Sequence, residues 1–175
     1  MEIYPSRYEA WVTLRDETKV FLRPVKATDG PLLLELFKKL SLSSISLRFL
    51  LPVDHLSEKI VYQFTHVDYK KDFGLVALVS NGNSSAIIGV GRYAYYPERE
   101  QPELAVVVRD DWQGKGLGSI LLMKVINIGR ENGFSRFGAT IDPENQTIMN
   151  IFKRSGYDYE ISHRERGVYY IAIQA

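Results

Sequence analysis

Between Glu103 and Gly118 the chain reads ELAVVVRDDWQGKGLG: an apolar, β-branched run, a short polar turn, and glycines at three alternate positions, Gly114, Gly116 and Gly118. The helix-favouring run SILLMKVINIGRE follows. This order restricts the fold severely. Three consecutive valines suit a strand buried on both faces, and a helix must begin within the turn that ends it. Glycines let the backbone turn sharply and approach a ligand with no Cβ in the way. A helix starting there directs unpaired N–H groups and the positive end of its dipole into the turn. Such a site suits a phosphate or pyrophosphate.

The flanking patterns extend this unit into a sheet. Lys19 to Val25 alternates as a strand, and Asp29 stands as cap of a helix with Pro31 in its first turn, running to about Leu40. Leu56 to His66 forms a second helical pattern. Phe73 to Ser80 and Ala86 to Tyr95 are β-branched runs joined through Asn81-Gly82, a hairpin signal, and Glu103 to Val108 makes a third strand of the same meander. The helix after Gly118 stops at Gly133, and a strand follows from Phe134 to Ile141. Asp142 and Pro143 open a further helix that ends before Gly156, and Tyr157 to Ser162 pairs with Val168 to Ile173. The expected fold is a mixed α/β (α+β) domain over residues 1–175. Its sheet is mostly antiparallel, has about seven strands, and carries helices on both faces.

Charge excludes one class of function. Lys plus Arg total 22 against 21 Asp plus Glu, without the basic excess of an electrostatic nucleic-acid binder. There is no cysteine, which removes disulfides, thiolate metal sites and cysteine nucleophiles. His55, His66 and His163 lack ligand spacing, so no metal is expected. The opening MEIYPSRYEAW is not a signal peptide, and no apolar run has the roughly 20 residues of a membrane span, so a cytoplasmic protein is expected.

The phosphate motif can be narrowed. Lys115 is followed by Gly116, and Arg109 stands where a P-loop needs its first glycine. Gly114 and Gly116 lack the third glycine of a dinucleotide fingerprint, because Ser119 occupies that place. Gly89 and Gly91 lie inside a strand with no helix after it, and read as strand glycines. Gln113, Gly116 and Gly118 fit Q/R-x-x-G-x-G/A between strand and helix without a gap. This resembles the acyl-CoA loop of the GNAT superfamily of N-acetyltransferases. Asn145, Met149, Phe152, Gly156 and Tyr157 similarly resemble the superfamily's second signature, N-x-x-x-[AM]-x-x-[YF]-x-x-x-G-[FY]. A narrower resemblance lies upstream. The segments YPSRYEAWVTLRDETKVFLRPVKATD, LSLSSISLRFL and HVDY look like the acetyltransferase domain of bacterial and archaeal protein lysine acetyltransferases.

The resemblance implies acetyl-CoA as cosubstrate. Its pantetheine arm would pair with the backbone of Val106, Val107 and Val108. Its pyrophosphate would rest on the loop Gln113, Gly114, Lys115, Gly116, Leu117, Gly118 and Ser119, with Lys115 adding charge. Asn145 would contact the arm, and Phe152 would pack beside the thioester. Glu103 is the implied general base, with Leu104 and Val106 as apolar neighbours that make a carboxylate more basic. Phe152 departs from the superfamily, which often has an acidic tyrosine there. The implied partner is a protein with an acceptor lysine, such as an acyl-CoA synthetase or a chromatin protein. Two alternatives stay open: acetylation of a small amine or a protein N-terminus, and a non-catalytic acyl-CoA sensor.

Overall fold

The computed structural model describes residues 3–50, 53–163 and 167–175. Eight strands form one sheet: β1 Ala10–Thr13, β2 Lys19–Pro24, β3 Asp72–Asn81, β4 Ser84–Tyr96, β5 Gln101–Val108, β6 Arg136–Ile141, β7 Asp158–His163 and β8 Tyr169–Gln174. Their order across the sheet is β1-β2-β3-β4-β5-β6-β8-β7. Every neighbouring pair is antiparallel except β5 and β6, which are parallel. Among the described residues five α-helices cover it: α1 Gly30–Lys38, α2 Leu42–Phe49, α3 Glu58–Thr65, α4 Leu117–Glu131 and α5 Gln146–Arg154. The larger core lies beneath α4 and α5 and includes Leu121, Val125, Phe137 and Phe152. The smaller core, with Val25, Leu33, Leu36 and Val76, lies on the other face with α1.

The expected mixed sheet with helices on both faces is present, with one strand and one helix more than the sequence pattern gave. β1 leaves little trace in the sequence because it is short and half-exposed, so only Ala10 and Val12 carry the alternation. α2 was missed because its serines mask the pattern. Its N-cap is Ser41, whose Oγ accepts from Ser44 N at 3.1 Å, and Ile45 is its one fully buried residue.

Two expected caps differ in detail. Asp29 precedes α1, but its carboxylate turns to Arg23, accepting from both Nη1 and Nη2 at 2.8 Å, and from Lys26 N at 2.8 Å. α5 begins three residues later than Pro143 implied. Its cap is Asn145, whose Oδ1 accepts from Ile148 N at 3.2 Å, while Asp142 Oδ1 accepts from Glu144 N at 2.8 Å in the preceding turn.

Gly89 and Gly91 have the structural role read from the sequence. A Cβ on Gly89 would meet Leu121 Cδ1 at 3.1 Å, and one on Gly91 would meet Leu121 O at 3.2 Å. α4 therefore lies directly on the backbone of β4, and this contact sets where its N-terminus points.

Candidate active site

β5 and β6 pair at Glu103 opposite Gly138 and then part. A small cavity occupies the gap, lined by Leu104, Ala105 and Val106 on one side and Ala139, Thr140 and Ile141 on the other, with Phe152 and Leu122 beneath. The parting leaves Val106 and Val107 half-buried rather than enclosed on both faces; Val108 alone of the three is buried. β4 pairs with one edge of these valines, Gly91 opposite Val106 and Gly89 opposite Val108. Their other edge faces the opening, where an extended ligand can add as a strand.

Beyond Val108 a cleft of about 410 Å³ opens, lined by Val106, Val107, Val108, Gln113, Gly114, Gly116, Leu117, Gly118, Ser119 and Asn145. Gly114 and Gly116 have φ of +76° and +89°, the left-handed conformation that glycine adopts without strain. Gly116 is the N-cap of α4 and offers no side chain to it. The first intrahelical bond runs from Ile120 N to Gly116 O at 3.1 Å, so the amides of Leu117, Gly118 and Ser119 precede the helical ladder. These amides and the dipole of a 15-residue helix make a receptor for a diphosphate.

Side chains hold this loop from both ends. Gln113 Nε2 donates to Val108 O at 2.9 Å and to Ser44 Oγ at 3.2 Å, tying the loop to β5 and to α2. Asp110 accepts from Ser41 N at 2.9 Å, Ser41 Oγ at 2.7 Å and Ser44 Oγ at 3.0 Å. Burial pushes the Asp110 carboxyl up, but these donors outweigh it and hold it below the usual aspartate range. The turn between β1 and β2 fastens the other side, where Arg15 N donates to Lys115 O at 3.0 Å.

Two expected cofactor residues lie off the cleft wall. Lys115 turns to Asp16, with Nζ to Oδ2 at 3.0 Å, and lies over the Trp112 ring at 4.5 Å. That hydrogen bond, followed by those from Thr18, holds the Asp16 carboxyl at about 2. Phe152 is buried and borders the gap between the strands. Arg15, Ser41, Ser44 and Arg48, to which the sequence pattern gives no role, also line the cleft, as does Arg154. Arg15 arrives on the missed β1–β2 hairpin, and the serines and Arg48 on the missed α2.

Glu103 stands at the point of parting. Its Oε1 accepts from Thr140 Oγ1 at 2.7 Å, and its Oε2 accepts from Arg99. The apolar setting expected for it is not found, since a guanidinium and a hydroxyl contact the carboxylate directly. Each oxygen keeps a second lone pair for a further donor. Strand alternation puts Glu103 on the face of Val107, Arg92 and α1, opposite to Leu104 and Val106. Tyr157 and Tyr159 are spent in structure: Tyr157 OH donates to Asn127 Oδ1 at 3.1 Å, and both rings pack on the larger core.

A parted parallel strand pair and a glycine loop at a helix start make a cleft that suits a diphosphate with an extended arm. Residues 19–158 match the family described as acetyltransferase (GNAT) domain. An acetyltransferase of Pseudomonas aeruginosa is 30% identical over 148 residues, 84% of this chain and 80% of that protein. The GNAT domain of S. lividans PAT superposes with a TM-score of 0.88 at 31% identity, over 99% of this chain and all of that one (100%). A phosphinothricin acetyltransferase of Sinorhizobium meliloti, solved in complex with acetyl-CoA, shares the fold with a TM-score of 0.69 at 17% identity, over 89% of this chain and 87% of that one.

The chain belongs to the GNAT acetyltransferase family. By family it is an acetyltransferase.

Proposed function

We propose that this enzyme acetylates the ε-amine of a lysine on a protein, by direct attack on acetyl-CoA with Glu103 as general base. The observation that carries the reading is the position of Glu103 at the fork of β5 and β6, on the face opposite Val106. The thioester enters the gap from the cleft side, held by Val106 to Val108, by the loop from Gln113 to Ser119, and by Asn145. The amine approaches from the Glu103 face. Val106 lies three steps along the strand from Glu103, about 10 Å, which leaves room for the amine and a relaying water. Lysine as acceptor rests on the upstream segments that resemble protein lysine acetyltransferases, and an acyl-CoA synthetase or a chromatin protein is the target class that resemblance implies.

A lysine amine with pKa of about 10.4 is about one part in a thousand neutral near pH 7, and only the neutral form attacks. Glu103 takes the proton, and the nitrogen's electron pair forms the C–N bond. Backbone N–H groups near Val106 stabilise the oxyanion, and collapse expels the coenzyme thiolate.

Labelled acetyl-CoA, a host lysate and mapping of the acceptor nitrogen test the reading. Label on lysine side chains is expected. Label on small molecules only would replace lysine by a small amine, and no transfer at all would leave a sensor. Glu103→Gln should retain acetyl-CoA affinity and lower kcat by about 100-fold near pH 7. The deficit should narrow as pH rises and the amine deprotonates unaided. A pH–rate profile that matches wild type would remove Glu103 from the role.

A further inference from the structure

Arg48 and Arg92 converge on a pocket beneath α2 and α3, on the Glu103 face of the sheet. The pocket is otherwise apolar, lined by Leu33, Leu36, Phe37, Phe49 and Phe64 among others. Arg92 lies across β4–β5 from Ala105, the position between Glu103 and Val107 on that face. Both arginines are half-buried. Among the described residues neither pairs with a carboxylate. Their contacts are ring faces: Arg48 over Phe49 at 5.0 Å and Phe64 at 5.7 Å, and Arg92 over Phe64 at 4.4 Å.

The nearby acids are already engaged. Glu103 is held by Arg99 and Thr140, and Asp72 Oδ1 accepts from Tyr95 N at 3.1 Å. Burial, and then the like charge of Arg92, pushes Arg48 down to about 10, and burial lowers Arg92 as well. Two guanidiniums brought together without a carboxylate are costly to desolvate, and aromatic faces offset only part of that cost. A planar fork of donors matches a carboxylate bidentately.

We propose that Arg48 and Arg92 receive a carboxylate of the acyl acceptor, seated beside Glu103 in the pocket under α2 and α3. The inference rests on the reading of the Glu103 face as the acceptor side. A carboxylate on the acyl chain does not meet the geometry. Arg92 borders neither the cofactor cleft nor the gap between β5 and β6, so only a ligand on the acceptor face reaches both arginines. The carboxylate is either that of an acidic residue beside the acceptor lysine or the α-carboxylate of a free amino acid.

Calorimetry on CoA-saturated protein tests this without requiring turnover. One pair of probes is the peptides Gly-Glu-Lys-Gly and Gly-Gln-Lys-Gly, blocked at both ends. The other is free lysine and cadaverine, which is lysine without its carboxylate. At least one carboxylate-bearing member should bind about tenfold or more tighter than its mate without the carboxylate. A difference confined to the peptides identifies an acidic neighbour; one confined to lysine identifies a free amino acid. In Arg92→Gln the ratio should fall below about twofold, and Arg92→Lys should recover part of it. Acetyl-CoA affinity serves as the check that each variant is folded. Equal binding within both pairs, no binding of any probe, or a ratio unchanged in Arg92→Gln overturns the proposal. Carboxylate-dependent binding without label on any lysine would instead leave this proposal standing and remove the lysine-acetylation reading.

Discussion

Phe152 shows how one side chain limits the chemistry of its site. It is almost fully buried, at 1% exposure, and borders the gap with Leu104, Val106 and Leu122. A ring in that setting cannot deliver a proton to a departing sulfur. A thiol with pKa of about 8.5 leaves readily as its anion, so the reaction does not require such a donor. Phe152→Tyr should therefore change kcat by less than about threefold, measured by steady-state release of free CoA. A large rise would mean that proton delivery to sulfur limits the wild-type enzyme. The glycines of the loop are legible because backbone conformation selects for them: Gly116, at φ +89°, is a position where a side chain is strained whatever the space. The surroundings of Glu103 were not readable. Arg99 lies four residues upstream, and Thr140 comes from β6, brought near by a pairing that sequence spacing does not encode.

At the scale of elements, α2 is the piece that joins the glycine loop to the pocket of Arg48 and Arg92. Its N-terminal serines bind Asp110, Ser44 also accepts from Gln113, and its last turn carries Arg48 into the pocket. Strongly patterned elements such as β3, β4 and α4 were legible because burial on one or two faces writes a regular apolar period. α2 buries only Ile45 completely, so its position depends on polar contacts that leave no period. The same applies to β1, an edge strand whose turn delivers Arg15 to the cleft. This dependence predicts a specific acid sensitivity. The folded Asp110 carboxyl is held below its ordinary value, so its contribution is complete above the usual aspartate range, about 3.9, and is lost as pH falls through the folded value. Asp110→Asn should weaken acetyl-CoA binding severalfold at pH 7 and speed amide exchange in Leu42–Phe49. The difference from wild type should shrink as pH drops below about 4. Equal exchange in the two proteins at pH 7 would show that Asp110 does not anchor α2.

Across the whole molecule, the sheet consists of an antiparallel stretch from β1 to β5 and another of β6, β8 and β7, joined at the β5–β6 fork. The join is made by the pairing of Glu103 with Gly138, by the hydrogen bond from Thr140 to Glu103, and by α4 and α5 packed on the larger core. A coenzyme seated along Val106 to Val108 and under the α4 N-terminus touches both stretches, because Asn145 and Ile148 of the cleft wall follow β6. Such a ligand binds the folded chain and has no counterpart site in the unfolded one, so it stabilises by mass action. At about 100 times its Kd the gain is about 2.7 kcal/mol, which for a chain of this size raises Tm by roughly 5–10 °C. Gly116→Val, which puts a branched side chain at a left-handed position against Arg15 on the cleft wall, should lose this shift while keeping the native far-ultraviolet spectrum. Scanning calorimetry with and without acetyl-CoA measures the shift, and circular dichroism measures the spectrum. A full shift in the variant would mean that the coenzyme draws its stabilising contacts from elsewhere than the glycine loop.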